Sequence, residues 1–127
     1  MVRKVLVIIG GSLSILWGIA HLIPTGSVAD GFGATSVDNK RIILMEWINE
    51  GLTLLFLGTL VILIAVFNYS NLKSRRIVFI AAAVMLIAMA VLSLCTGAQI
   101  DFIPYRLCPV IFTVSAVLIL QGALGKA

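Results

Sequence analysis

Charge is what this sequence has least of. Lys, Arg, Asp and Glu together make up 11% of the residues, whereas a soluble domain carries about 25%. So few charges cannot cover a surface in water, which excludes an ordinary soluble globule and leaves lipid as the natural solvent. Cysteine (two residues), proline (three) and histidine (one) are also sparse. No C-x-x-C pair occurs, so a catalytic thiol relay lacks its usual motif. No Lys/Arg run extends beyond Lys73-Ser-Arg75-Arg76, and basic and aromatic residues do not interleave. The formal net charge of +4 is therefore read as a topology signal, and nucleic acid is not an expected partner.

Apolar residues fill the space that charge leaves. They are 61% of the 127 residues, and mean hydropathy is +1.20. Four long apolar stretches stand out, at about residues 5–23, 42–67, 77–95 and 107–124. Each approaches the roughly 20 residues needed to cross a hydrocarbon core, and polar or Gly/Pro-bearing segments separate them. The runs are apolar on all sides and do not alternate as barrel strands would. The expected fold is all-α: a polytopic membrane protein, one domain over residues 1–127, built as a four-transmembrane-helix bundle. Pro24-Thr25-Gly26 suits a helix stop. Asp38 or Asn39 could cap the second helix, and Pro104 or Pro109 would fall in the first turns of the fourth.

Arg3-Lys4 followed by an apolar run also fits a signal peptide. An uncleaved first span is expected, because its removal leaves three. On the side of the N-terminus, the second loop and the C-terminus lie Arg3, Lys4, Lys73, Arg75, Arg76 and Lys126; the other side holds Lys40, Arg41 and Arg106. By the positive-inside rule both termini are expected in the cytoplasm of a bacterial or archaeal cell, with the protein in its cytoplasmic membrane. Asp30, Asp38, Glu46, Glu50 and Asp101 all fall on the outer side. Asn68-Tyr69-Ser70 matches a glycosylation sequon, but its expected place is cytoplasmic.

The sharpest polar feature is Glu46-Trp47-Ile48-Asn49-Glu50 inside the second stretch. Glu46 and Glu50 are four apart and share a helix face, with Asn49 and Thr53 beside them. Glu50 lies roughly 13 Å along the helix from Arg41, too deep to reach bulk water comfortably. Charges at such depth face a bundle interior or a wet cavity, although Glu46 also reads as an interfacial charge paired with Arg41 or Lys40. Gly11, Ser14, Gly18 and His21 form a small and polar stripe on the first helix, which lets a neighbour approach closely. His21 ends that stripe at the level of Glu46.

The loop Thr96–Arg106 completes the outer cluster. Arg106 either pairs with Asp101 or offers its fork to Glu46, Glu50 or an anionic ligand. Cys95 and Cys108 end the third helix and open the fourth, as two reduced thiols or as a disulfide stapling that hairpin.

The candidate polar pocket is thus His21, Glu46, Asn49, Glu50, Asp101, Tyr105 and Arg106, with aromatic walls from Trp17, Phe32, Trp47 and Phe102. Three uses follow: binding a lipid-like or quinone-like small molecule, holding a divalent metal on His21, Glu46 and Glu50, or acid–base chemistry within the membrane. A purely structural role, joining helices or a homo-oligomer, is the competing reading.

Trp17-Gly-Ile-Ala-His21-Leu, Gly31-Phe-Gly33 and Met45-Glu-Trp-Ile-Asn-Glu-Gly51 resemble the small four-helix membrane proteins grouped around the DoxX-like families. The likeness extends to length, helix count and an arginine-bearing N-terminus. It implies a four-helix membrane fold and, for some members, an association with quinone or thiol redox systems; it transfers no residue role. The acidic positions of sterol-isomerase-like bundles and the arginine-rich second helix of glutathione-linked membrane enzymes are not found.

Overall fold

The structure, a computed structural model, describes residues 2–67 and 72–124. The sequon Asn68-Tyr69-Ser70 and Lys126 lie outside the described residues. Among these the regular structure is entirely helical: α1 (Val2–Leu22), α2 (Thr25–Asp30), α3 (Val37–Phe67), α4 (Leu72–Cys95) and α5 (Ile103–Ala123), with a 3₁₀ turn at Gly97–Gln99 before α5. In lipid a spanning segment must satisfy its own backbone hydrogen bonds. Uninterrupted apolar runs therefore become helices.

The helices begin earlier than their apolar runs. α3 starts at Val37, not at about residue 42, and its cap is Ser36 rather than Asp38 or Asn39. Ser36 Oγ accepts the Asn39 N–H at 3.2 Å, and the Ser36 carbonyl accepts the Lys40 N–H at 2.9 Å. Asp38 lies in the first turn, where a negative charge faces the positive end of the helix dipole. α4 likewise takes in Lys73, Arg75 and Arg76. Helical hydrogen bonding continues through these charged turns, whereas hydropathy registers only the hydrocarbon-depth portion. α1 ends at Leu22, where Thr25 Oγ1 donates to the Leu22 carbonyl at 2.6 Å, and the chain turns through Pro24 into α2. Pro104 falls in the first turn of α5 as expected, but Pro109 lies inside the helix.

Antiparallel α1 and α3 make the closest pair, through paired glycines. A Cβ on Gly11 would stand 2.9 Å from the Gly58 carbonyl oxygen, and one on Gly58 would stand 2.5 Å from that of Gly11. Gly18 meets the Gly51 carbonyl at 3.0 Å in the same sense. Between them Ser14 Oγ donates to the Leu54 carbonyl at 2.9 Å. Small residues at these positions let the backbones touch, as helix association in lipid requires.

α4 and α5 form a second hairpin, and α1 packs on α5 to join the two. The order across the bundle is α3–α1–α5–α4. α3 and α4 barely meet. Gly122 packs on Val7 and Phe79, and Arg76 Nε donates to the Ala123 carbonyl at 2.9 Å. The start of α1, the start of α4 and the end of α5 therefore share one end of the bundle. Leu54, Val61, Phe79, Leu86, Phe112 and Ile119 are buried between the helices.

A third or less of each long helix is buried. Large apolar side chains such as Leu16, Phe56, Val84 and Val91 point outward, which is the pattern of a helix surrounded by lipid. Four helices long and apolar enough to cross a bilayer, packed as one bundle, define an integral membrane protein.

Candidate functional site

The register set by Ser14 and Leu54 continues to the other end of the bundle. Seven residues further along α1 and seven back along α3, His21 meets Trp47. The His21 Nε2–H donates to the Trp47 carbonyl at 3.0 Å; a carbonyl only accepts, so this nitrogen carries the proton. The two rings stack, with centroids 3.8 Å apart at 21°. Trp47 Nε1–H donates to Thr25 Oγ1 at 3.1 Å. Tyr105 meets the Trp47 ring edge-on at 5.7 Å, and Phe102 stands 5.1 Å from Tyr105. Residues of α1, α2, α3 and α5 thus fix the Trp47 indole.

Where α3 and α4 fail to close, a cleft of about 500 Å³ opens beside this cluster. Its α3 wall carries Glu46, Trp47, Asn49, Glu50 and Thr53; α4 contributes Met85, Met89, Leu92 and Ser93, with Thr96 just beyond its end; Tyr105 and Cys108 of α5 form the back. Glu46 and Asn49 stand at the exposed edge. Glu50 lies further in, its side chain 35% exposed, with Oε2 3.9 Å from Nε2 of the buried His21. That is too long for a hydrogen bond, and a neutral His21 leaves the Glu50 carboxylate without a counter-charge there.

A smaller cavity of about 250 Å³ lies behind, among Trp17, Ala20, His21, Pro24, Phe102 and Pro104. Trp47, Tyr105 and Cys108 line both spaces and form the wall between them. Trp17 Nε1–H donates to Cys108 Sγ at 3.4 Å, and Sγ stands 3.5 Å from the Pro104 carbonyl.

Five of the seven predicted pocket residues, His21, Glu46, Asn49, Glu50 and Tyr105, gather around these two spaces. Asp101 and Arg106 do not. Arg106 Nη2 pairs with Asp101 Oδ1 at 2.9 Å on an exposed loop, and neither lines either cavity. The sequence order alone places Arg106 five residues after Asp101, within local reach, and local reach prevails.

The expected metal set of His21, Glu46 and Glu50 is not assembled. Among the described residues no three His, Cys, Asp or Glu side chains come close enough to hold an ion, and His21 Nε2 is already committed to a carbonyl. Cys95 and Cys108 are both free thiols, the first exposed and the second buried.

Sequence reasoning missed Thr25, Ser93, Met85 and Met89. Thr25 reads in the sequence only as part of the helix stop Pro24-Thr25-Gly26, and the α4 residues face the cleft only through the rotation of α4 about its axis, which an all-round apolar pattern does not reveal.

Neither a protein-family model, a curated protein nor a solved structure matches this chain.

Proposed function

We propose that the cleft between α3 and α4 binds a small lipid-like molecule, a lipid or a quinone, taken sideways from the bilayer. One observation carries the reading: an apolar-walled space of about 500 Å³ with a partly buried carboxylate, Glu50, set into it, and open because α3 and α4 scarcely touch. A mainly apolar lining with a few placed polar groups is the usual make-up of a small-molecule site. Lateral access suits a ligand that is already dissolved in lipid. The distribution of basic residues supports an orientation with both termini in the cytoplasm and the cleft in the outer half of a bacterial or archaeal cytoplasmic membrane. The likeness to DoxX-like proteins is proposed at the level of architecture and is in keeping with a quinone among the ligands.

Native mass spectrometry of the protein released from gentle detergent tests this. The expected result is a retained small molecule in wild type that is lost when Leu92→Trp fills the cleft. Equal retention in Leu92→Trp and Met89→Trp would overturn it.

A further inference from the structure

We infer that the cleft selects lipophilic organic cations among lipid-like molecules; this rests on the reading of the cleft as a binding site and names the class of its occupant. Among the described residues the walls hold two carboxylates, Glu46 and Glu50, and no lysine, arginine or histidine. Two arginines near the lining in sequence have partners of their own. Arg106 is paired with Asp101 at 2.9 Å, and Arg41 stands 3.9 Å from Asp38. His21 reaches Glu50 only at 3.9 Å, and its Nε2–H is given to the Trp47 carbonyl.

Two hydroxyls of the lining add acceptors. Thr53 donates its hydroxyl proton to the Asn49 carbonyl of its own helix at 2.7 Å, and Thr96, just past the end of α4, donates to the Leu92 carbonyl at 2.7 Å. Both oxygens keep lone pairs for a donor in the cleft. An anionic head group would meet two carboxylates and no counter-charge. A cation would supply the pairing that a carboxylate at membrane depth otherwise lacks.

The apolar walls suit the same class. Trp47, Tyr105 and Phe32 present aromatic rings, the surfaces that attract an organic ammonium or phosphonium. Met85 and Met89 are adaptable thioethers that fit irregular apolar groups, and with Leu92 they line the α4 side of the cleft.

Two permanent ions of the same shape, size and apolar surface, tetraphenylphosphonium and tetraphenylborate, test the inference on the full chain in phosphatidylcholine nanodiscs, with empty nanodiscs subtracted. Wild type is expected to bind the phosphonium at least tenfold more tightly than the borate. Glu50→Gln should remove most of that preference and Glu50→Asp should keep part of it, with Glu46→Gln intermediate. Equal or tighter borate binding by wild type overturns the inference, as does a preference unchanged in the Glu46→Gln/Glu50→Gln double variant. Decylubiquinone serves as the neutral probe. If it binds, is blocked by Leu92→Trp, and phosphonium shows no preference, cation selection fails while the cleft reading stands. If no probe binds, or none is affected by Leu92→Trp, both fail.

Discussion

Trp47 is held from four directions: a histidine face, a threonine hydroxyl, a tyrosine edge and its own helix. His21 is the partner that supplies both a ring contact and a hydrogen bond. Interhelical hydrogen bonds in lipid are worth about 0.6 kcal/mol on average and an aromatic pair about 0.5–1.5 kcal/mol. His21→Ala should therefore lower stability by about 1–2 kcal/mol in an SDS-titration unfolding assay, and His21→Phe, which keeps the ring, should recover part of the loss. The glycines make a sharper contrast. Gly58→Ala places a methyl 2.5 Å from the Gly11 carbonyl and should cost about 1–3 kcal/mol by overpacking. Gly26→Ala, with nothing within 4 Å, should be neutral or slightly stabilising in the same assay. Of the two carboxylates, Glu50 is the deeper. Glu50→Gln should reduce ligand retention more than Glu46→Gln, and equal tolerance of both in native mass spectrometry would count against a role for the inner position.

At the scale of elements, the existence of four helices was legible and their beginnings were not. Hydropathy marks where a chain enters hydrocarbon, but helix starts are decided by backbone donors that need a partner. Ser36 provides one, six residues before the second apolar run begins. Ser36→Ala should cost about 0.5–2 kcal/mol at this cap and speed amide exchange at Asn39, which hydrogen–deuterium exchange in micelles would register. The α3 part of the site was legible for a related reason. Glu46, Asn49 and Glu50 lie on one face by spacing alone, and a carboxylate amid apolar residues is conspicuous. The α4 wall was not, because Met85, Met89 and Leu92 look like every other lipid-facing residue until the neighbouring helix is in place. Counted from the true start at Val37, Glu50 is about 20 Å along α3. Much of that length is the charged first turns, so depth in the membrane is set by the apolar portion and not by position in the helix.

For the whole molecule, the two ends differ in kind. One carries α2, the 3₁₀ turn and the aromatic cluster; the other carries Arg76 against the last carbonyls of α5. If the basic end faces the cytoplasm, a C-terminal green fluorescent protein fusion should fluoresce and a C-terminal alkaline phosphatase fusion should be silent. The reverse pattern would invert the proposed orientation and place the cleft in the inner leaflet. Thiol chemistry reads the packing independently. A maleimide should label the exposed Cys95 readily and Cys108 only after unfolding.

The helix order also bears on how the chain can be assembled. α3 and α4 are neighbours in sequence and near-strangers in space, so the link between them connects two units whose mutual recognition lies elsewhere, along α1 and α5. A gene cut between α3 and α4 should then yield two inserted hairpins that find each other without the covalent link, and co-purification of the halves from one membrane would show it. The same independence sets the cleft at a seam: its α3 wall belongs to one hairpin and its α4 wall to the other.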